Sequence, residues 1–198
     1  EGELALADHA FGLYTRGVTL WPADERNAAS LERVGEALGR LGEVAATYQR
    51  IADEAYEPAT ARSYAVRRAK LLAERLGQVD DAIEAFQRLA EFAPKDLSIL
   101  RSLQGLLEQN ERWQALLLAL ERELDAGGDR AGVYRRVATV WETRLRNTFE
   151  AKDNWKRVLK YAPDDPEARA ALERLERRAR PVDLGLEDLV DEATPAPV

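Results

Sequence analysis

Cysteine and methionine are absent from the 198 residues, and histidine occurs once, at His9. Without cysteine there is no disulfide framework, no thiolate metal site and no thiol nucleophile; the compartment stays open, because reducing and oxidising locations both hold cysteine-free chains. A single imidazole removes most other metal sites. The lack of methionine predicts a processed product or a piece of a longer protein, and a piece is the expectation. Lysine is scarce as well, with Lys70, Lys95, Lys152, Lys156 and Lys160 among 29 basic residues. Together with abundant alanine, this bias fits a GC-rich bacterial genome. No apolar run nears the ~20 residues of a membrane span and no signal-like segment opens the chain, so no membrane insertion is expected. The cytoplasm is the expected location.

Hydrophobic residues make up 45% and charged residues 33%, which suits one soluble globular or repeat domain burying ~70% of its unfolded surface. Acidic residues outnumber basic ones, 36 to 29, for a net charge of −7. Broad capture of nucleic acid or anionic lipid is therefore disfavoured unless the basic residues cluster.

Three segments repeat one spacing of alanine, aromatic and proline: Ala10, Tyr14, Pro22; Ala82, Phe86, Pro94; and Ala151, Trp155, Pro163. The same slots recur in weaker form at Val44, Tyr48, Tyr56 and at Ala115, Ala119, Gly127. A second pattern at i, i+3, i+4, i+7 precedes each of the last four: Leu31, Val34, Gly35, Leu38; Val66, Ala69, Lys70, Ala73; Ile99, Ser102, Leu103, Leu106; and Tyr134, Val137, Ala138, Trp141. That spacing is one helical stripe. Ala168, Ala171, Leu172 and Leu175 form a further copy. Two helices per unit, repeated about every 34 residues, predict a helical solenoid in which neighbours bury one another's apolar faces. Asp165 before Pro166, Asn147 with Glu150, and Asp96 after Pro94 mark helix starts. No stretch alternates as strands do.

On these residues the chain resembles the tetratricopeptide repeat (TPR) family over residues 5 to 178. Gly35, Ala82, Phe86, Pro94, Ala151, Trp155 and Pro163 match its motif, and Lys70, Ser102 and Gly127 depart from it. The Trp- and Tyr-rich fourth repeat also resembles the half-a-TPR variant. The resemblance implies an all-α, right-handed solenoid of antiparallel helix pairs. The expected division is a helix B of a truncated repeat at 1–22, repeats at 23–56, 57–94, 95–128 and 129–163, a closing helix at 164–180, and an acidic, proline-containing tail or linker at 181–198.

Little points to chemistry. His9 has no nucleophile pattern around it, and packing or surface exposure is its plainer reading. The pairs Asp80-Asp81 and Asp164-Asp165 sit at helix starts, where carboxylates favour exposed N–H groups and the dipole. No phosphate loop, dinucleotide fingerprint, zinc or EF-hand motif occurs, so no catalytic residue, metal or cofactor is expected and the chain is read as no enzyme. Trp141 and Trp155 occupy core slots, so the tryptophans are read as structural before any stacking role.

One constellation resists dismissal. Two places after the first apolar position of each helix A stand Arg33, Arg68, Arg101 and Arg136, flanked by Arg67 and Arg135. The resemblance implies that helices A line a concave groove and that these arginines form a ladder along it, with Tyr64, Leu71, Leu97, Leu100 and Leu107 supplying apolar contact. Guanidinium groups on rigid helices suit carboxylates or phosphates. The alternative is that each arginine pairs with a carboxylate of its own or a neighbouring repeat, such as Glu32, Glu36, Glu74 or Glu108. The slots of the family's carboxylate clamp hold Glu32, Glu36, Arg67, Leu71 and Gln104, so that clamp is absent. Residues 60–76 are basic and 79–93 acidic, which would favour an acidic ligand on helices A despite the net charge. The expected function is a non-catalytic scaffold whose concave face binds an acidic peptide or partner segment. Alternatives are an RNA-binding array of the half-a-TPR type, which the net charge disfavours, and a spacer within a longer repeat protein.

Residues 181–198 carry five acids, no base and three prolines. They read as a linker, or as an acidic segment that docks on the arginine ladder in cis or in another copy.

Overall fold

A computed structural model describes residues 2–179, and all its described regular structure is α-helix. The chain forms two compact units, Glu1–Gly128 and Asp129–Val198. The first unit holds α1 (Gly2–Leu20), α2 (Glu25–Ala37), α3 (Leu41–Glu54), α4 (Pro58–Glu74), α5 (Val79–Phe92), α6 (Leu97–Gln109) and α7 (Trp113–Asp125). The second holds α8 (Arg130–Thr143), α9 (Thr148–Tyr161) and α10 (Pro166–Ala179). Within each unit every helix packs on the next. The pairs α2/α3, α4/α5, α6/α7 and α8/α9 are each joined by a short turn. The tail 181–198 lies outside the described residues.

Helices A begin where the chain can satisfy its first free N–H groups. Asp24, Asp96, Asp129 and Asp165 each accept from an N–H two or three residues on, and α4 opens instead with Pro58 in its first turn. Asn147 does the same for helix B α9, through Phe149 and Glu150. The Ala168 N–H and the Arg135 guanidinium hold the Asp165 carboxyl below its ordinary range. A depressed carboxylate contributes fully above about pH 4 and loses its contribution as pH falls through the depressed value. Urea unfolding followed from pH 6 to pH 2.5 should therefore show a shallower acid loss in Asp165→Asn than in the wild type. Parallel curves would contradict this assignment.

The turns from helix A to helix B come in two kinds, and they alternate. In the first repeat Gly39 takes a left-handed φ of 68° and the Arg40 N–H donates to the Gly35 carbonyl at 2.7 Å. In the third, Glu111 takes φ 56° and the Arg112 N–H donates to Leu107 at 2.9 Å. These two turns match at an offset of 72 residues. The ion pairs Arg40–Asp8 and Arg112–Asp80 recur at the same offset. In the second repeat Gly77 has φ 65°, Leu76 donates to Leu71 and Gln78 to Leu72; in the fourth Arg146 has φ 53°, Leu145 donates to Val140 and Asn147 to Trp141. Their offset is 69. The structural period is thus a doublet of about 70 residues, and a single ~34-residue register averages over two turn geometries.

Registers assigned by single spacing shift accordingly. The stripe expected through Val66, Ala69, Lys70 and Ala73 runs instead through Ala69 and Leu72, both buried, with Lys70 exposed. At the 72-residue offset the partners of Val44 and Tyr48 are Leu116 and Leu120, both buried, in place of Ala115 and Ala119. The core is otherwise built as the repeat requires: Ala82, Phe86, Ala151 and Trp155 are buried. At Gly35 a Cβ would stand 2.6 Å from Val44 Cγ2, so only glycine lets α2 and α3 approach so closely.

Candidate functional site

The doublet dissolves the arginine ladder as one row. Matched by backbone hydrogen bonds, Arg136 corresponds to Arg67, while Arg68 corresponds to Val137; Arg101 corresponds to Ala29, and Arg33 to Gly105. The four expected rungs therefore hold different positions on their helices. Arg101 donates from Nε to Glu123 on its own helix B at 3.0 Å. Arg33 is exposed and Arg136 half-buried. Among the described residues, neither Arg33 nor Arg68 has a hydrogen-bond or ion-pair partner.

The flanking arginines follow the pairing alternative. Arg67 of α4 bonds Glu25 and lies 3.7 Å from Glu32, both on α2, and Arg75 pairs with Glu36. Arg135 pairs with Asp165 and, at 3.3 Å, with Glu167. Glu32 also accepts from the Tyr48 hydroxyl at 2.9 Å, and the Tyr64 hydroxyl donates to the Pro22 carbonyl at 2.9 Å while its ring meets Tyr48 edge-on. Burial pushes both phenols above their ordinary value. The row between α2 and α4 is thus closed by its own ion pairs. The expected apolar contacts are corrected too: Tyr64, Leu71, Leu100 and Leu107 are buried in the core and cannot present area to a ligand, and Leu97 alone of that set is half-buried.

A groove of ≈480 Å³ opens elsewhere, between α3, α4 and α5. Three helical stripes meet there: Gln49, Ala52 and Asp53; Pro58, Ala61, Arg62, Ala65 and Arg68; and Ala85, Arg88, Leu89 and Phe92. Its floor is alanine, and the volume missing from those methyl side chains is what leaves the groove. Arg68 and Arg62 come from one face of α4, Arg88 from α5, against the single lining acid Asp53. Arg62 reaches Asp96 at 3.4 Å, Arg88 bonds Glu84, and Gln49 donates to Asp53 at 2.7 Å. Phe92 stands at the rim, 96% exposed. So Arg68 faces helices B, while its neighbour Arg67 faces the preceding helix A. Sequence reading named Arg68 but missed Arg62, Arg88 and Phe92. The signal available was the tenth place after the alanine slot, where Leu20, Phe92 and Tyr161 are all left exposed.

In the second unit Tyr134 and Tyr161 stack with centroids 5.7 Å apart and planes at 10°. The Arg130 guanidinium donates to the Tyr161 hydroxyl at 3.0 Å and holds it below its ordinary value. Among the described residues no group of three or more His, Cys, Asp or Glu could hold a metal ion, and no helix is long and apolar enough to cross a membrane.

Helix pairs that repeat, each helix packing on the next within its unit, and that close on short A–B turns give a TPR-like helical-repeat fold. Solved structures similar to the chain include "MamA MSR-1 C2", 18% identical over 73% of this chain and 80% of that one, with a TM-score of 0.45. Also similar are the thermophilic TPR protein TTC0263 of Thermus thermophilus, 15% identical over 88% and 93% at TM-score 0.41, and a tetratricopeptide repeat protein from Parabacteroides merdae, 13% identical over 88% and 66% at TM-score 0.41. No protein-family model and no curated protein matches the chain.

Proposed function

We propose that the chain is a non-catalytic protein-interaction scaffold whose α3–α4–α5 groove holds an acidic segment of a partner protein. The observation that carries this reading is Arg68, a guanidinium with no hydrogen-bond or ion-pair partner among the described residues, lining an alanine-rich groove whose rim holds the exposed Phe92 ring. A guanidinium half out of water gains more from a carboxylate than a fully solvated one does, and a floor of methyl groups lets a partner backbone or helix approach closely. Covering the Phe92 ring adds apolar area at ~25 cal/mol per Å². RNA is the weaker reading, because Arg62, Arg67, Arg75, Arg101 and Arg135 already pair with carboxylates.

Peptide display selected on the full chain tests this. Enriched sequences should place Asp or Glu beside large apolar residues and lose about tenfold in affinity, ~1.4 kcal/mol, against Arg68→Glu, a position that makes no hydrogen bond or ion pair among the described residues. Affinity unchanged in that variant would refute the groove. Failure to enrich any sequence would favour a spacer role.

A further inference from the structure

The second unit carries a charge opposite to that of the whole chain. Residues 129–179 hold 13 basic and 9 acidic side chains, net +4, whereas 1–128 hold 15 and 22, net −7. Three of the five lysines, Lys152, Lys156 and Lys160, follow one another at i+4 along α9. Ala151, Asn154, Trp155 and Val158 turn to the core, so the lysines lie along the outward side of the helix, where Lys156, Arg157 and Lys160 are exposed and Lys152 is half-buried. The end of this row is stiffened by rings: Arg157 lies over Tyr134 at 5.6 Å and Lys160 over Tyr161 at 5.8 Å. At the start of the same helix Phe149 is 78% exposed. Of the two acids on this helix, Glu150 sits in the first turn and Asp153 is already taken by Arg157 at 2.7 Å.

A face that is apolar at one end and cationic beyond complements a segment rich in both aliphatic residues and acids and lacking bases. Residues 181–198 have that composition: Val182, Leu184, Leu186, Leu189 and Val190 with Asp183, Glu187, Asp188, Asp191 and Glu192. The path is short. Helices α9 and α10 pack side by side and are joined by residues 162–165 alone, so they run antiparallel and the chain leaves α10 beside the start of α9, where Phe149 stands. Eighteen residues span up to ~60 Å extended, and a 14-residue helix is ~21 Å long.

We propose that residues 181–198 dock along this outward face of α9 in their own chain, with aliphatic side chains on Phe149 and acids along Lys152, Lys156 and Lys160. Docked there, the segment covers the basic surface of a chain that is acidic elsewhere, and so withholds it from other polyanions. This site is separate from the α3–α4–α5 groove, and the two proposals stand or fall independently.

Carbodiimide coupling of the full chain, with peptide mapping by mass spectrometry, tests it. Isopeptide bonds should join Lys156 or Lys160 to acids of 181–198. Their yield, normalised to coupling of an added free amine, should fall roughly fivefold between 20 mM and 0.5 M salt, as the Debye length shrinks to a few ångströms. Phe149→Ala should lower the yield about threefold at low salt. A yield indifferent to salt would reflect tethering alone and overturn the proposal. So would equal coupling of these acids to Lys70 and Lys95. In a mixture of 14N- and 15N-labelled chains, products joining the two labels would place the segment on another copy and overturn docking within one chain.

Discussion

Replacing Trp155 by alanine is expected to destabilise the second unit by about 4 kcal/mol, read as a lowered urea midpoint of that unit. Trp155 is 2% exposed and packs among Ala138, Ala151, Val158, Ala168, Ala171 and Leu175. Four of those six neighbours are alanines, which have no reach into the space left by the indole, so a cavity cost adds to the lost transfer energy. The indole N–H also donates to Glu142 at 3.1 Å, and Glu142, its side chain 9% exposed, takes Arg174 at 2.6 Å as well. Truncation leaves that carboxylate with one partner fewer in a largely dry place. Trp155→Phe keeps much of the volume and loses only the donor, so its cost should stay near ~1–2 kcal/mol. Equal costs for the two variants would mean that the indole volume does not hold α8, α9 and α10 together.

Trp155 was legible in the sequence because its slot is fixed by spacing to Ala151 and Pro163, and burial follows from such a slot whatever the partner helix does. The four helix pairs were legible for the same reason: apolar stripes and capping residues are local signals. The arginine row was not. It depended on carrying one register across four A–B turns, and those turns differ by a left-handed residue placed after 38 and 110 in one kind and after 76 and 145 in the other. A shift of one residue turns a side chain about 100° around its helix, which sends Arg67 to α2 and Arg68 to the groove. Burial of Tyr64, Leu100 and Leu107 was hidden likewise, since a residue next to an apolar stripe reads as exposed until the neighbouring helix is in place. The groove itself rests on what alanines at 52, 61, 65 and 85 do not fill, and a shortage of volume at a junction of three helices has no signature in a linear pattern.

The third repeat carries a buried polar pair in the place where the first sets Ile51 against Glu32, and separating the pair should be costly. At the 72-residue offset Glu123 corresponds to Ile51 and Gln104 to Glu32. Gln104 is fully buried and Glu123 is 4% exposed. The Gln104 amide donates to Glu123 at 2.8 Å and to the Ala119 carbonyl at 3.1 Å, and Arg101 closes the other carboxylate oxygen from the solvent side. Gln104→Leu strips an amide donor from a buried carboxylate and from a carbonyl together, for an expected loss of about 3 kcal/mol in denaturant unfolding. Glu123→Ile alone should cost ~1 kcal/mol or less, because the amide keeps the Ala119 carbonyl and the first repeat already accommodates isoleucine there. Combining Gln104→Leu with Glu123→Ile should recover most of the loss, since an apolar pair of similar volume leaves no charge to satisfy. The coupling energy from that double-mutant cycle is then about 2.5–3 kcal/mol. Additive costs would show that the two side chains, although in hydrogen-bond contact, do not depend on each other, and that the third repeat tolerates its buried carboxylate through Arg101 alone.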